Sequence, residues 1–389
     1  VNLGVLAFFK YAGFFSQNVS AFAELLGMGD VMLPPFFYEI ILPVGISFYT
    51  FQSMSYTIDI YRGHARPAPD FLGFACYVSM FPQLVAGPIV RYGSIAEQIR
   101  SRSHSVGIFT YGLARFNFGF AKKILLANPA GEVADLCFGA GEGSLSTPVA
   151  WIGVCAYAFQ IYFDFSAYSD MAIGLGRMFG FRFPENFNSP YKSRSITEFW
   201  RRWHISLSSF LRDYLYIPLG GNRKGTRRTY INLMLVMLIG GLWHGAQWTF
   251  IAWGAIHGGM LALERLASAR TQWEWIPSPV KVAATFIIVL ITWVFFRAEN
   301  FHVAGNYLSA MFVPGNHAPS AGLLMAQVTR PAALLFLAVC FWSAFFMPRS
   351  TEILKTLTTG KVLLSLLLLL LALGMMFTQA FNPFLYFQF

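Results

Sequence analysis

Tyr230-Ile-Asn-Leu-Met-Leu-Val-Met-Leu-Ile-Gly-Gly-Leu-Trp-His244 holds fourteen residues without a charge and then an ionisable side chain. A barrel strand alternates apolar and polar positions over roughly ten residues. This run does not alternate, and it reads as a helix in a membrane. An ionisable residue in such a segment is costly, so it is usually paired, functional or both. Histidine is also the side chain best suited to proton transfer near neutral pH. Gly240, Gly241 and Gly245 flank His244, permitting close backbone approach or a break, and Trp243 and Trp248 could wall a site around it. Two readings stay open from the residues alone. His244 takes a proton from an attacking alcohol, or it is a buried histidine tying two helices together.

Composition extends the membrane reading to the whole chain. Of 389 residues, 56% are hydrophobic and 12% charged, where soluble domains carry roughly 25% charged residues. Aromatics reach 17%, including 41 Phe, as suits lipid-facing surfaces and interfacial belts. Apolar segments fall near 1–15, 36–58, 71–90, 108–127, 149–175, 230–243, 246–263, 282–296, 332–347 and 362–380. Several are short for a span of about 20 residues. Pro82 and Pro88 break the third; Gly153 and the polar run from Asp164 to Asp170 are expected to break the fifth. The chain is expected to form broken or re-entrant helices around an internal cavity, since irregular backbone at membrane depth must be buried in protein or line a cavity. Gly139–Thr147 and Pro314–Gly322 read as loops. The chain starts at Val1 inside an apolar run, so a truncated N-terminus is expected. Cys76, Cys137, Cys155 and Cys340 show no metal-ligand or disulfide spacing.

Charge is concentrated between Lys192 and Arg228, where nine basic residues face only Glu198 and Asp213. Basic loops stay in the cytoplasm. If Arg228 marks that surface, the fourteen steps from Tyr230 to His244 at 1.5 Å each place it roughly 21 Å in. That is well inside a hydrocarbon core about 30 Å thick. The segment 195–217 reads as one interfacial amphipathic helix. Ser195 and Glu198 form a capping-box pattern. Phe199, Trp203, Leu207, Phe210 and Tyr214 make an apolar face, and Arg201, His204, Ser208 and Arg212 a polar stripe. His204 on that stripe is expected to be a solvated interfacial histidine or a residue at the rim of a site. Arg201, Arg202, Arg223, Lys224, Arg227 and Arg228 could hold an anionic cofactor such as coenzyme A, since arginine forks suit phosphate, or lipid headgroups. No nucleic-acid partner is expected. Asp164 and Asp170 read as structural acids satisfied by nearby hydroxyls, and His257 as packing. His204, His244 and His257 lack metal-ligand spacing, so no metal is expected.

Several longer motifs then occur in order. Glu198-Phe-Trp-Arg-Arg-Trp-His-Ile-Ser-Leu-Ser208, Arg212-Asp-Tyr-Leu-Tyr216, Pro218-Leu-Gly-Gly-Asn222 and Gly241-Leu-Trp-His-Gly245 together resemble the membrane-bound O-acyltransferase family. Pro43-Val-Gly-Ile-Ser-Phe-Tyr49, Gly87-Pro88, Tyr162-Phe-Asp-Phe-Ser166, Tyr168-Ser-Asp-Met-Ala172 and Glu185-Asn-Phe-Asn188 fit its branch of bacterial alginate O-acetylation proteins. The eight residues after Phe381 look similar to the same branch. Members usually begin with further spanning helices. The resemblance implies an all-α polytopic bundle of about ten or more spanning, re-entrant and interfacial helices around a central tunnel. It implies a single membrane-embedded domain over 1–389, with the basic loop and catalytic-histidine helices at 222–258. It further implies acetyl-CoA as cytoplasmic donor, an exported alginate-like polysaccharide as destination, periplasmic O-acetylation proteins as partners and the bacterial inner membrane as location. The family's essential histidine maps onto His244 and a second characteristic one onto His204. A transporter or flippase of an acyl carrier or lipid is the competing reading, since interrupted helices and a buried histidine suit it too.

Overall fold

The computed structural model describes residues 1–28, 40, 42–84, 87–141, 143–268, 275–314 and 320–379. Among them the regular structure is entirely helical. The helices are α1 (Asn2–Leu25), α2 (Ile46–Tyr61), α3 (Phe71–Ser79), α4 (Tyr92–Arg100), α5 (Val106–Ala121) and α6 (Asn128–Phe138). They continue with α7 (Thr147–Met178), α8 (Ile196–Arg202), α9 (Ile205–Leu211), α10 (Thr226–His244), α11 (Trp248–Ser268) and α12 (Ser278–Arg297). The last are α13 (Phe301–Phe312), α14 (Ser320–Val328), α15 (Pro331–Phe345), α16 (Ser350–Ile353) and α17 (Thr359–Thr378). The chain is a polytopic membrane protein. α7, α12 and α17 are each long and apolar enough to cross a membrane, and α14 with α15 makes a broken candidate bent by 55°. The final residues that resembled the alginate branch lie outside the described residues.

Two glycine seams set how closely the central helices approach. A Cβ on Gly112 would stand 2.6 Å from the Gly174 carbonyl oxygen, and one on Gly119 2.7 Å from that of Ala167. α5 and α7 therefore touch backbone to backbone. In α10 and α11, a Cβ on Gly241 would collide with the Phe250 carbonyl and one on Gly254 with the Met237 carbonyl. Membrane helices lack a hydrophobic force to join them, so such small-residue contacts carry the association.

The expected break in the fifth segment is absent. α7 runs 32 residues without interruption. Gly153 is needed for contact, not flexibility, because Cys137 and Tyr307 fill the space beside it. The acids Asp164 and Asp170 are met by cations rather than by nearby hydroxyls alone. Lys123 pairs with Asp164 at 2.7 Å, while Lys122 at 2.6 Å and Arg115 at 2.5 Å pair with Asp170. The two adjacent lysines come from a π-helical turn, Lys122–Ala127, between α5 and α6. In an α-helix, neighbours point about 100° apart. The wider turn lets both reach α7.

The segment 195–217 also departs from a single helix. It breaks at His204, whose φ is +42°, into α8, α9 and a second π-helical turn, Arg212–Tyr216. A bulky residue at positive φ is uncommon and costs energy that the surroundings must impose. The capping pattern is only half formed. Ser195 accepts from the Glu198 N–H at 3.0 Å, but the Glu198 carboxylate goes to Arg194 N–H and to Arg202. Glu264 of α11 supplies the rest, accepting from Ile196 N–H at 2.5 Å and Thr197 N–H at 2.8 Å. The third apolar segment does end near Pro82: α3 stops at Ser79 and residues 88–90 belong to no helix or strand.

Candidate active site

His244 is the last residue of α10, and the chain turns extended at Gly245. His244 is 9% exposed, and rings wall its imidazole. Trp243 and Phe296 lie 5.0 Å from it and Trp253 5.4 Å, centroid to centroid, all edge-on. No side-chain hydrogen bond reaches this ring among the described residues. What is fixed is the backbone beneath it. The His244 carbonyl accepts from Lys10 Nζ at 3.1 Å and the Trp243 carbonyl accepts from the same ammonium at 2.5 Å.

His204 is fully buried, so it is not the solvated residue that the polar stripe suggested. The break at positive φ is what turns it inward. Its ring meets Phe165 edge-on at 4.5 Å and Trp243 at 6.2 Å. Trp243 thus stands against both histidines. Asn186 orients His204. Its Oδ1 faces His204 Nδ1 at 3.2 Å and accepts from Ser206 N–H at 3.2 Å and Ser206 Oγ at 2.9 Å. A backbone N–H is only a donor, so it fixes the amide orientation, and Nδ1 must then carry the ring proton. Asn186 Nδ2 donates to Ser169 on α7 at 3.2 Å.

A cavity of about 460 Å³ opens behind this network, between α5, α7, α15 and α17, with Ser169, Asn186 and Phe187 in its wall. The Arg115–Asp170–Lys122 cluster lines the same space, and Glu185 adds a second carboxylate 2.6 Å from Arg115. Among the described residues no group of three or more His, Cys, Asp and Glu is arranged to hold a metal.

The membrane-bound O-acyltransferase family model matches residues 62–298, a span that contains both histidines and their helices. The chain is also 46% identical to a probable alginate O-acetylase of Pseudomonas putida over 416 aligned positions, covering all of this chain and 83% of that protein. The chain belongs to the membrane-bound O-acyltransferase family. A second probable alginate O-acetylase, from Pseudomonas aeruginosa, is 51% identical over 80% of this chain and 59% of its own length. A peptidoglycan O-acetyltransferase of Helicobacter pylori is 40% identical over 80% of the chain and 63% of its own. The chain therefore spans about three fifths of the length of several relatives that it matches.

Within this acyltransferase the six basic candidates divide. Arg202 is held by Glu198 at 2.7 Å and by the Asn188 carbonyl. Arg201, Arg223, Lys224, Arg227 and Arg228 are exposed and make no ion pair among the described residues. Arg212, counted in the same basic segment, is spent on Asp213 at 2.6 Å. Partial burial would push the Asp213 carboxyl up, but hydrogen bonds from Arg212 and Arg91 outweigh it and hold the group below the usual carboxylate range.

Sequence reasoning passed over Asn186, Trp253, Phe296 and Lys10. Asn186 sits in a quoted motif but carries no chemistry of its own. Trp253 and Phe296 look like any core aromatics. Lys10 gave the same signal as His244, a lone charge in the apolar run 1–15.

Proposed function

We propose that this chain is an inner-membrane O-acetyltransferase of bacteria that moves acetyl groups from cytoplasmic acetyl-CoA toward an exported, alginate-like polysaccharide, through periplasmic acetylation proteins. The carrying observation is His244: a buried imidazole with aromatic rings against it and neither nitrogen engaged by a side chain among the described residues. A buried structural histidine normally has its ring nitrogens satisfied. An imidazole kept in place from its backbone and left open at its ring suits a proton acceptor.

The acceptor hydroxyl gives its proton to His244 as its oxygen attacks the thioester carbonyl. The new C–O bond forms, the C–S bond breaks, and the proton passes to the leaving CoA sulfur. His204, oriented by Asn186, shapes the far side of Trp243. Arg223, Lys224, Arg227 and Arg228 gather around the start of α10, with Arg201 on α8, and Arg202 is a weaker candidate because Glu198 already holds it. Cations at a helix N-terminus oppose its dipole, while an anion there is favoured twice, by the free N–H groups and by the positive end. Gly225, the N-cap, offers no side chain to those groups. Phosphates of coenzyme A would reconcile that arrangement, and lipid headgroups at the same surface would share the chemistry.

The test is thiol release from acetyl-CoA by purified protein with a polysaccharide acceptor. Wild type should release CoA, and His244→Ala should lose it while remaining folded. An active His244→Ala protein overturns the mechanism; absence of any thiol release by wild type points to transport instead.

A further inference from the structure

An α-helix leaves its last four carbonyls without intrahelical partners. In α10 these are the carbonyls of Gly241, Leu242, Trp243 and His244. Gly241, Trp243 and His244 are buried, and a buried carbonyl without a partner is costly. The Gly241 oxygen accepts from the Gly245 N–H at 3.4 Å, a long bond. The other three are met from α1, by two consecutive residues. Tyr11 Oη donates to Leu242 at 2.8 Å, and Lys10 Nζ donates to Trp243 at 2.5 Å and to His244 at 3.1 Å.

Lys10 has no carboxylate at ion-pair distance among the described residues. Its other neighbours are Ser47 Oγ at 3.4 Å and the Trp243 ring, 5.6 Å from the ammonium. A cation in an apolar helix needs a counter-charge, and here the negative end of the α10 dipole supplies one. The geometry points to Lys10 as a positioning residue for His244, resting on the reading of His244 as the proton acceptor. Lys10 clamps the terminal turn of α10, with Tyr11 completing the clamp, and so fixes where the imidazole and Trp243 stand relative to the thioester. α1 lies outside the segment matched by the family model.

Misplacing a catalytic group by about 1 Å costs on the order of 10²-fold in rate. Lys10→Met keeps the apolar stem and removes the ammonium. The expected result is a kcat lower by roughly that factor, with KM for acetyl-CoA unchanged because the donor phosphates bind elsewhere. Lys10→Cys should be equally slow. Alkylation of this variant with 2-bromoethylamine, which rebuilds an ammonium at nearly the lysine length, should restore at least half of the wild-type kcat. Wild type treated identically controls for the native cysteines. A folded Lys10→Met protein with wild-type kcat overturns the assignment, as does a Lys10→Cys protein that alkylation does not revive. If neither variant folds, Tyr11→Phe decides, since it deletes one hydroxyl. A several-fold fall in kcat at constant KM supports the clamp and an unchanged kcat overturns it. An active His244→Ala protein would instead remove the reading beneath it, so the two failures are separable.

Discussion

His244 and His257 stand thirteen positions apart on the α10–α11 hairpin and touch the same indole, Trp253, from 5.4 and 4.8 Å. Both are buried. His257 is locked at each nitrogen. Trp200 Nε1 donates to its Nδ1 at 3.3 Å, which leaves Nε2 as the donor to Thr292 Oγ1 at 3.1 Å, and that hydroxyl passes its own proton to the Val289 carbonyl at 2.8 Å. Every polar atom in that chain has a defined role. His244 has rings on three sides and its anchors on the backbone side only. Burial alone does not separate a structural histidine from a chemical one; the engagement of the ring nitrogens does.

The widest gap between the two should appear when each is removed. His244→Ala should lower acetyl transfer by about 10²–10⁴-fold, the usual contribution of a positioned base, with little change in melting temperature. A loss of folding rather than of turnover would erase the distinction. Next in size is Asn186→Ala, which frees the His204 ring to adopt the other tautomer. About a tenfold fall in kcat is expected, measured as thiol release, and an unchanged rate would detach His204 from the site. Charge removal at the start of α10 should act on binding. Arg227→Ala with Arg228→Ala should raise KM for acetyl-CoA about tenfold at equal kcat, since both side chains are exposed and an exposed charge pair is worth up to about 1 kcal/mol. A KM indifferent to both changes and to salt would move the donor elsewhere. The smallest effect on turnover belongs to His257→Asn. It should cost about 1–3 kcal/mol of stability through unsatisfied partners and leave activity per folded molecule within about twofold. A large drop in kcat would show His257 to be more than packing.

Much of this was legible in the chain. Uniform apolar runs and scarce charge dictated membrane helices, and His244 announced itself as an ionisable residue where none is cheap. The motif order carried the family. What composition hid was pairing at a distance. Gly153 and the acids of α7 looked like breaks because their partners, Cys137, Tyr307, Lys122, Lys123 and Arg115, lie on other elements. His204 shows the same limit in reverse. Its periodicity placed it on a polar face, and only the backbone reversal at φ +42° turns it into the core. Lys10 lies 234 positions from the carbonyl that it binds, and no local pattern links the two.

The π-helical turn at Lys122–Ala127 sets the rotational register of α6. One residue more than an α-helical turn requires is stored there, so α6 is rotated by about 100° from the course α5 alone would dictate. The face of α6 that packs on α7, with Ala130, Val133, Ala134 and Cys137 buried, exists only in that rotated setting. Deleting any single residue of the turn would leave composition and hydropathy almost untouched. It would nonetheless rotate the buried face of α6 away from α7. The turn works as a phase marker, and the helix downstream depends on counting from it correctly.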